Sequence, residues 1–243
     1  MTARHAEYDD IAAEYAASKQ LPFRLVVEAP TLFRLAGDVT GLKILDLACG
    51  EGTYSRALAR RGAQSVLGID LSDAMVEKAR EIERETPLGA SYHQGDAAAL
   101  GTIGAFDLVL ASYLFNYAQT PAQLLAFART VQANLKTGGR LIGINDNPQT
   151  SEEAYDSLPD VGFTRTVDRP RREGARVRYQ FGAWGFDNFW LSPATYERVF
   201  AEAGLPDFRF IPASADLSGG HDPILWQRFL KDCPIVGLQA RRS

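Results

Sequence analysis

The sequence predicts an α/β protein built on a parallel sheet with helices on both faces. Three observations lead there. Short apolar runs alternate with amphipathic segments between residues 43 and 144, at the spacing of βα units. The first run, Lys43-Ile44-Leu45-Asp46-Leu47, enters a glycine-rich turn, Ala48-Cys49-Gly50-Glu51-Gly52. The run Phe106–Ser112 is almost unbroken apolar sequence, as a strand covered on both faces must be.

Each element follows in order. Residues 5–20 read as a helix, with Tyr8, Ile11, Ala12 and Tyr15 at three- and four-residue spacing. Leu25–Leu35 is a second helix that Pro30 kinks or divides. Lys43–Leu47 is the first strand, and Thr53–Arg61 a helix stopped by Gly62. Ser65–Ile69 is the second strand. Ser72 caps the next helix, with Met75, Val76 and Ala79 behind the cap, and Thr86-Pro87-Leu88-Gly89 breaks it. Ala90–Gln94 is the third strand, ending at Gly95-Asp96-Ala97, and Phe106–Ser112 the fourth. Thr120 and Pro121 open a long amphipathic helix. Lys136-Thr137-Gly138-Gly139 reads as a tight turn before a fifth strand, Arg140–Ile144. Ser192-Pro193 starts another helix, ending near Gly204, and Phe208–Pro212 and Ile235–Ala240 are the last strands.

Residues 147–191 break the alternation. They hold Pro148, Pro159 and Pro170, then the aromatic-rich stretch Val177–Leu191. The organisation expected is therefore an N-terminal helical segment, 1–40, a core made of 41–146 and 192–243, and an inserted cap, 147–191.

A chain of 243 residues suits one large domain, or one with such an insertion. The net charge of −4 gives no broad electrostatic reason to bind nucleic acid or an anionic membrane. The basic run Arg165–Arg178 is interrupted by Asp168 and Glu173 and reads as a solvated face. Two cysteines, Cys49 and Cys233, make neither a disulfide framework nor a metal-ligand cluster, so no metal is expected. Cys49 fills a place where the turn needs a small side chain. No run has the length of a membrane span and the first residues have no apolar signal core, so a cytoplasmic location is expected.

Ligands of open α/β sheets sit at the carboxyl ends of the strands. Asp46, Asp70, Asp96 and Ser112-Tyr113 fall at four such ends. A carboxylate after the second strand can accept from both hydroxyls of a ribose. Gly50 and Gly52 let backbone approach a ligand without a Cβ in the way. A dinucleotide turn asks for a third glycine where this chain has Ser55, and has no need of an acid in the place of Asp46.

An acid-plus-glycines turn (Asp46, Gly50, Gly52), an acid after strand two (Asp70), an acid after strand three (Asp96) and a late Gly-Gly before strand five (Gly138-Gly139) stand here in order. In this the chain resembles the class I S-adenosylmethionine-dependent methyltransferases. The resemblance covers about residues 40–145. It implies a Rossmann-like seven-stranded, mostly parallel sheet with an antiparallel last strand. It implies S-adenosylmethionine as methyl donor, S-adenosylhomocysteine as product, and the first 40 residues as a helical lid. The residues it places at the cofactor are Tyr8, Tyr15, Asp46, Ala48, Gly50, Gly52, Asp70, Leu71, Met75, Gly95, Asp96, Ala97, Ala111 and Ser112. Asp46 would order the turn and hold the ammonium, and Asp96 would accept from the adenine amino group. For Tyr8 and Tyr15 an amphipathic helix docking on the sheet fits equally, and for Ser72 a plain helix cap.

Tyr8-Asp9, Ile11-Ala12, Tyr113 to Ala118, and His221-Asp222-Pro223 through Trp226 and Phe229 to Cys233-Pro234 are similar to a small bacterial group that includes the toxoflavin-biosynthesis N-methyltransferase. This likeness implies N-methylation of a planar nitrogen heterocycle in natural-product metabolism.

In-line methyl transfer asks for positioning and dryness before it asks for a base. His221 is a candidate base after the hinge Gly219-Gly220, or a solvated loop histidine. Asn116 and Tyr117 are candidates to orient an acceptor ring, or they pack and cap. Tyr113, Tyr179, Phe181, Trp184, Phe186 and Trp190 would wall an aromatic pocket. Arg24, Arg165 and Arg178 could anchor an anion. The expected partner is a small-molecule methyl acceptor, with no nucleic acid and no membrane, on a monomer or homodimer. O- or amine N-methylation of another metabolite stays open, as does an inactive cofactor binder.

Overall fold

The computed structural model describes residues 21–156 and 161–243. Tyr8, Tyr15 and the helix expected over 5–20 lie outside the described residues. A wide helical turn, Arg24–Glu28, runs into α1 (Ala29–Ala36). Pro30 stands in the first turn of α1, where its missing N–H is harmless, so it divides the two helical pieces. The buried side of the pair, Val26, Val27, Leu32 and Ala36, packs on Ile44, Leu108, Ile142 and Ile144 of the sheet.

The main sheet has seven strands. They are β1 (Lys43–Leu47), β2 (Ser65–Asp70), β3 (Ala90–Gln94), β4 (Phe106–Ala111), β5 (Leu135–Asp146), β9 (Arg209–Ile211) and β10 (Ile235–Arg241). Their order is β3-β2-β1-β4-β5-β10-β9. The first five run parallel, and β10 lies antiparallel to both β5 and β9. Strand order reverses between β1 and β4, so a crevice opens at their carboxyl ends.

Helices α2 (Thr53–Arg60), α3 (Asp73–Glu85), α4 (Pro121–Asn134), α5 (Pro193–Glu202) and α6 (Pro223–Lys231) cover the faces. Ser72, Thr120, Ser192 and Asp222 each accept a backbone N–H one turn in, from Met75, Gln123, Thr195 and Ile224. Leu45, Leu47 and Val109 meet Leu124, Ala128, Val131, Tyr196 and Phe200 on one face of the sheet. No helix among the described residues is long and apolar enough to cross a membrane.

Two expectations need correction. Lys136–Gly139 is not a turn ahead of a strand but a bulge inside the twelve-residue β5. Phe106 faces Leu135 while Leu108 already faces Arg140. Gly138 sits at φ 75°, and a Cβ on Gly139 would stand 3.0 Å from the Phe106 carbonyl oxygen, so both glycines serve the bulge. The second concerns the basic run. Arg165 alternates inward on β6 (Thr164–Val167) and is buried, its guanidinium 4.1 Å over the Tyr155 ring.

The stretch set apart in the sequence contains a second sheet, β6-β7-β8, antiparallel, with β7 at Ala175–Phe181 and β8 at Trp184–Trp190. Its inward face, Phe163, Val167, Val177, Tyr179, Phe181 and Phe186, joins the same apolar cluster as Val26, Ile44, Leu108, Trp226 and Phe229.

Candidate active site

At the carboxyl end of β1 the chain turns sharply. Ala48 sits at φ 58°, a left-handed conformation that holds strain in a residue with a Cβ. Three interactions fix the turn. Cys49 N–H donates to the Ile69 carbonyl at 3.1 Å. Gly50 N–H donates to Asp70 Oδ2 at 2.7 Å. Ser55 Oγ donates to the buried Asp46 carboxylate at 2.5 Å. Asp70 also accepts the Ser72 N–H at 3.0 Å, so one side chain ties the glycine turn to the start of α3. Burial, with Asp70 and Asp46 beside it, raises the Cys49 thiol well above its ordinary value and keeps it neutral.

The two glycines of the turn differ. A Cβ on Gly50 would have nothing within 4 Å, whereas one on Gly52 would strike the Tyr92 ring at 2.6 Å. Gly50 leaves open space where a side chain would stand. Gly52 makes room for a tyrosine of β3, a packing role the sequence pattern did not separate from ligand approach. Leu71 is exposed beside Asp70, and Met75 is buried behind the Ser72 cap. Asp96 is exposed and accepts the Ala98 N–H at 2.8 Å, between Gly95 and the buried Ala97. Ala111 ends β4 buried, and the next Oγ, on Ser112, is buried without a hydrogen-bond partner.

Tyr113 follows at φ 59°, its N–H on the Ile144 carbonyl at 2.7 Å. Its hydroxyl reaches back to the N-terminal helical pair and donates to Glu28 at 2.6 Å. Tyr54, one turn past the glycines, donates to the other oxygen of Glu28 at 2.5 Å, and Arg24 pairs with Glu28 at 2.7 Å. A fully buried carboxylate thus gathers donors from three segments. Burial, then the Glu28 charge, raises the Tyr113 phenol well above its ordinary value, so it stays a donor.

Beside Tyr113 is a narrow aromatic cleft of about 20 Å³. Tyr113, Tyr117, Tyr179, Phe181 and Phe186 line it, with Phe23, Phe163 and Ile235. Tyr179 and Phe186 face each other across β7 and β8 with ring centres 5.5 Å apart. The polar members are Arg24, Asp146 and Asn188. Asp146 ends β5. It accepts the Tyr179 hydroxyl at 2.9 Å and the Asn188 amide at 2.6 Å. Burial pushes its carboxyl up to about 6, against the opposing pull of those two hydrogen bonds and of Arg165 and Arg24.

The structure does not bring every candidate to the cleft. His221 is exposed, its ring edge-on to Trp226 at 6.5 Å, and it is not among the lining residues. Trp184 stacks on Phe181 at 4.7 Å from outside, and Trp190 donates its indole N–H to Pro148 while Arg171 covers its ring. Asn116 is buried next to the cleft, its backbone N–H on Asn145 and its amide without partners. Arg178 pairs with Asp187. Glu28, Tyr54, Asp146 and Asn188 were not singled out in the sequence. Asp146 carried a signal all the same, since it ends strand five as Asp46, Asp70 and Asp96 end or follow theirs.

Residues 44–139 match a family model described as a methyltransferase domain. An uncharacterised protein of Haemophilus influenzae is 30% identical over 239 residues, covering 89% of this chain and 87% of its own. An S-adenosylmethionine-dependent methyltransferase from Mesorhizobium loti superposes with a TM-score of 0.63 at 24% identity, over 88% of this chain and 97% of that one. The chain belongs to the class I S-adenosylmethionine-dependent methyltransferases. A ubiquinone biosynthesis O-methyltransferase of Acinetobacter baylyi is 33% identical over 120 residues, 47% of this methyltransferase and 49% of that protein. The chain thus spans about half the length of such named relatives. The open space at Gly50 and the unpartnered Ser112 Oγ fit a nucleoside at the crevice of this methyltransferase, because the first leaves room and the second awaits a polar neighbour that the protein does not supply.

Proposed function

We propose that this methyltransferase takes its methyl group from S-adenosylmethionine and delivers it to a small, flat, nitrogen-bearing acceptor. The observation behind this is one of placement. A glycine cradle with Asp70 and an aromatic cleft with Asp146 lie along one edge of the same sheet, joined by Tyr113, Tyr54 and Glu28.

In this reading Asp70 receives the ribose hydroxyls while its bonds to Gly50 and Ser72 hold it still. Gly50 gives its backbone to the methionine portion and Leu71 lies along the adenine, with Asp96 toward the amino group. Ala48, Met75, Gly95, Ala97, Ala111 and Ser112 shape the walls, and Tyr8 and Tyr15 belong to the lid. When bound, the sulfonium supplies a methyl carbon already open to attack. The chain's own residues align the acceptor with it and keep water away. Tyr113, Tyr117, Tyr179, Phe181 and Phe186 meet the edge of the acceptor, and residues 147–191 act as its cap. The likeness of Tyr113–Ala118 and of the His221–Pro234 stretch to the toxoflavin type supports a nitrogen heterocycle of natural-product metabolism.

Methylation of an oxygen is the second reading, favoured by the names of relatives such as the Acinetobacter baylyi enzyme. Calorimetric titration with S-adenosylhomocysteine, with NADH as control, tests the cofactor assignment. Micromolar or tighter binding of the former alone is expected. Binding of NADH instead, or of neither, would overturn it.

A further inference from the structure

Asp146 and Asn188 meet at the cleft, and their chemistry is not neutral. The ionised carboxylate of Asp146 only accepts hydrogen bonds, so it dictates how the Asn188 amide lies. Nδ2 must face Asp146, as it does at 2.6 Å, and Oδ1 must face away. That Oδ1 is buried and has no hydrogen-bond partner. An acceptor left so costs about 1–3 kcal/mol. Three nearby donors are engaged elsewhere: Tyr179 donates to Asp146, and Tyr113 and Arg24 bond to Glu28. The polar side of the cleft therefore presents acceptors that call for a donor from outside the chain. With about 20 Å³ of room, it admits a single substituent or ring edge rather than a whole ring.

We propose that the Asp146–Asn188 pair determines specificity by reading a donor edge, a ring N–H beside an exocyclic amino group, on the methyl acceptor. The inference rests on the small-molecule reading above and names the substrate class more narrowly. A ring edge offering only carbonyl oxygens or bare nitrogens would set lone pairs against Asp146 and Asn188 Oδ1 and be rejected. A donor edge would satisfy Oδ1 and share the charge of Asp146.

The test uses a matched pair of flat probes. One is an aminoquinazolinone, whose ring N–H and amino group lie side by side. The other is its fully N-methylated analogue, with the same rings and no donors. Both are titrated calorimetrically into the full chain, with and without S-adenosylhomocysteine. Binding of the first at least about tenfold tighter than the second is expected. Asp146→Asn should abolish that preference, since the new amide lets Asn188 flip and turn its Nδ2 outward. Asn188→Ala should reduce it without abolishing it, since Asp146 stays bonded to Tyr179 and its freed oxygen still accepts. Cofactor binding and the melting temperature report whether each variant is folded, and the wild-type comparison stands without them. Equal affinity for the two probes, or no binding of either, would overturn the proposal and leave Asn188 Oδ1 to an ordered water. Loss of S-adenosylhomocysteine binding with the probe preference intact would instead overturn the methyltransferase reading and spare the donor edge.

Discussion

Asn188 donates to Asp146 across 2.6 Å, and this bond joins β8 of the small sheet to the carboxyl end of β5 in the large one. It places an amide from the insertion on the strand end where a ligand is expected. The Asp146 side chain is buried, and its ionisation is accordingly tied to the stability of the fold.

Burial raises the Asp146 carboxyl from its ordinary 3.8 to about 6, so the folded chain holds a proton that the unfolded chain has released. Its contribution to stability is complete below about pH 4 and disappears as the pH rises through 6, leaving a cost of roughly 3 kcal/mol near pH 8. Asp146→Asn has no charge to bury. It should gain on the wild type between about pH 4 and about pH 8, by up to that amount. Urea unfolding of both proteins at the two pH values measures it, and a difference independent of pH would contradict it.

Asp70→Ala removes the acceptor for Gly50 and Ser72 along with the proposed ribose contact. Affinity for S-adenosylhomocysteine should fall by about tenfold to a hundredfold, as expected for a lost pair of buried hydrogen bonds. An unchanged affinity would take Asp70 out of the site.

The two turn glycines should part company. Gly52→Ala pushes a methyl group into the Tyr92 ring at a φ of 78° and should lower the melting temperature. Adding Tyr92→Leu should recover part of the loss. Gly50→Ala meets open space at a φ of 55°, so it should cost only about 1 kcal/mol of backbone strain while weakening cofactor binding. Equal melting temperatures for the two single variants would refute the distinction.

Glu28→Ala leaves Arg24 buried without its carboxylate and two tyrosine hydroxyls without their acceptor. The loss expected is about 3–5 kcal/mol. Glu28→Gln, which keeps an oxygen for one tyrosine, should fall between. Chemical denaturation of the three proteins would show that order or exclude it.

His221→Ala should leave the pH dependence of turnover as it is, because the imidazole is exposed and not among the residues lining the cleft. A shifted acid limb in that variant would restore His221 as a candidate base.

Much of this was legible in the residues. Alternation from Lys43 to Ile144 gave the strands, and the caps Ser72, Thr120 and Ser192 fell where short polar side chains met apolar spacing. Asp46 and Asp70 were visible because each stands against an apolar strand, and Asp96 because it follows Gly95 directly after the third strand. Glu28 and Arg165 were not, since their burial depends on partners far along the chain, Tyr113 for one and Tyr155 and Pro234 for the other. Local pattern cannot report a contact between segments. Gly138-Gly139 misled for a related reason, as the same two residues suit a turn and a bulge and only the neighbouring strand decides.

The small sheet has no private interior. Phe163, Tyr179 and Phe181 pack in one cluster with Val26 and Ile44, which belong to the N-terminal helical pair and the large sheet. Any alteration of those rings is therefore also a change to the keel of the whole molecule. If residues 147–191 cap the acceptor as proposed, substrate preference would not drift loop by loop, and a grafted insertion would have to bring the matching helical face with it. On that proposal, new acceptors would be reached only as fast as the packing could follow.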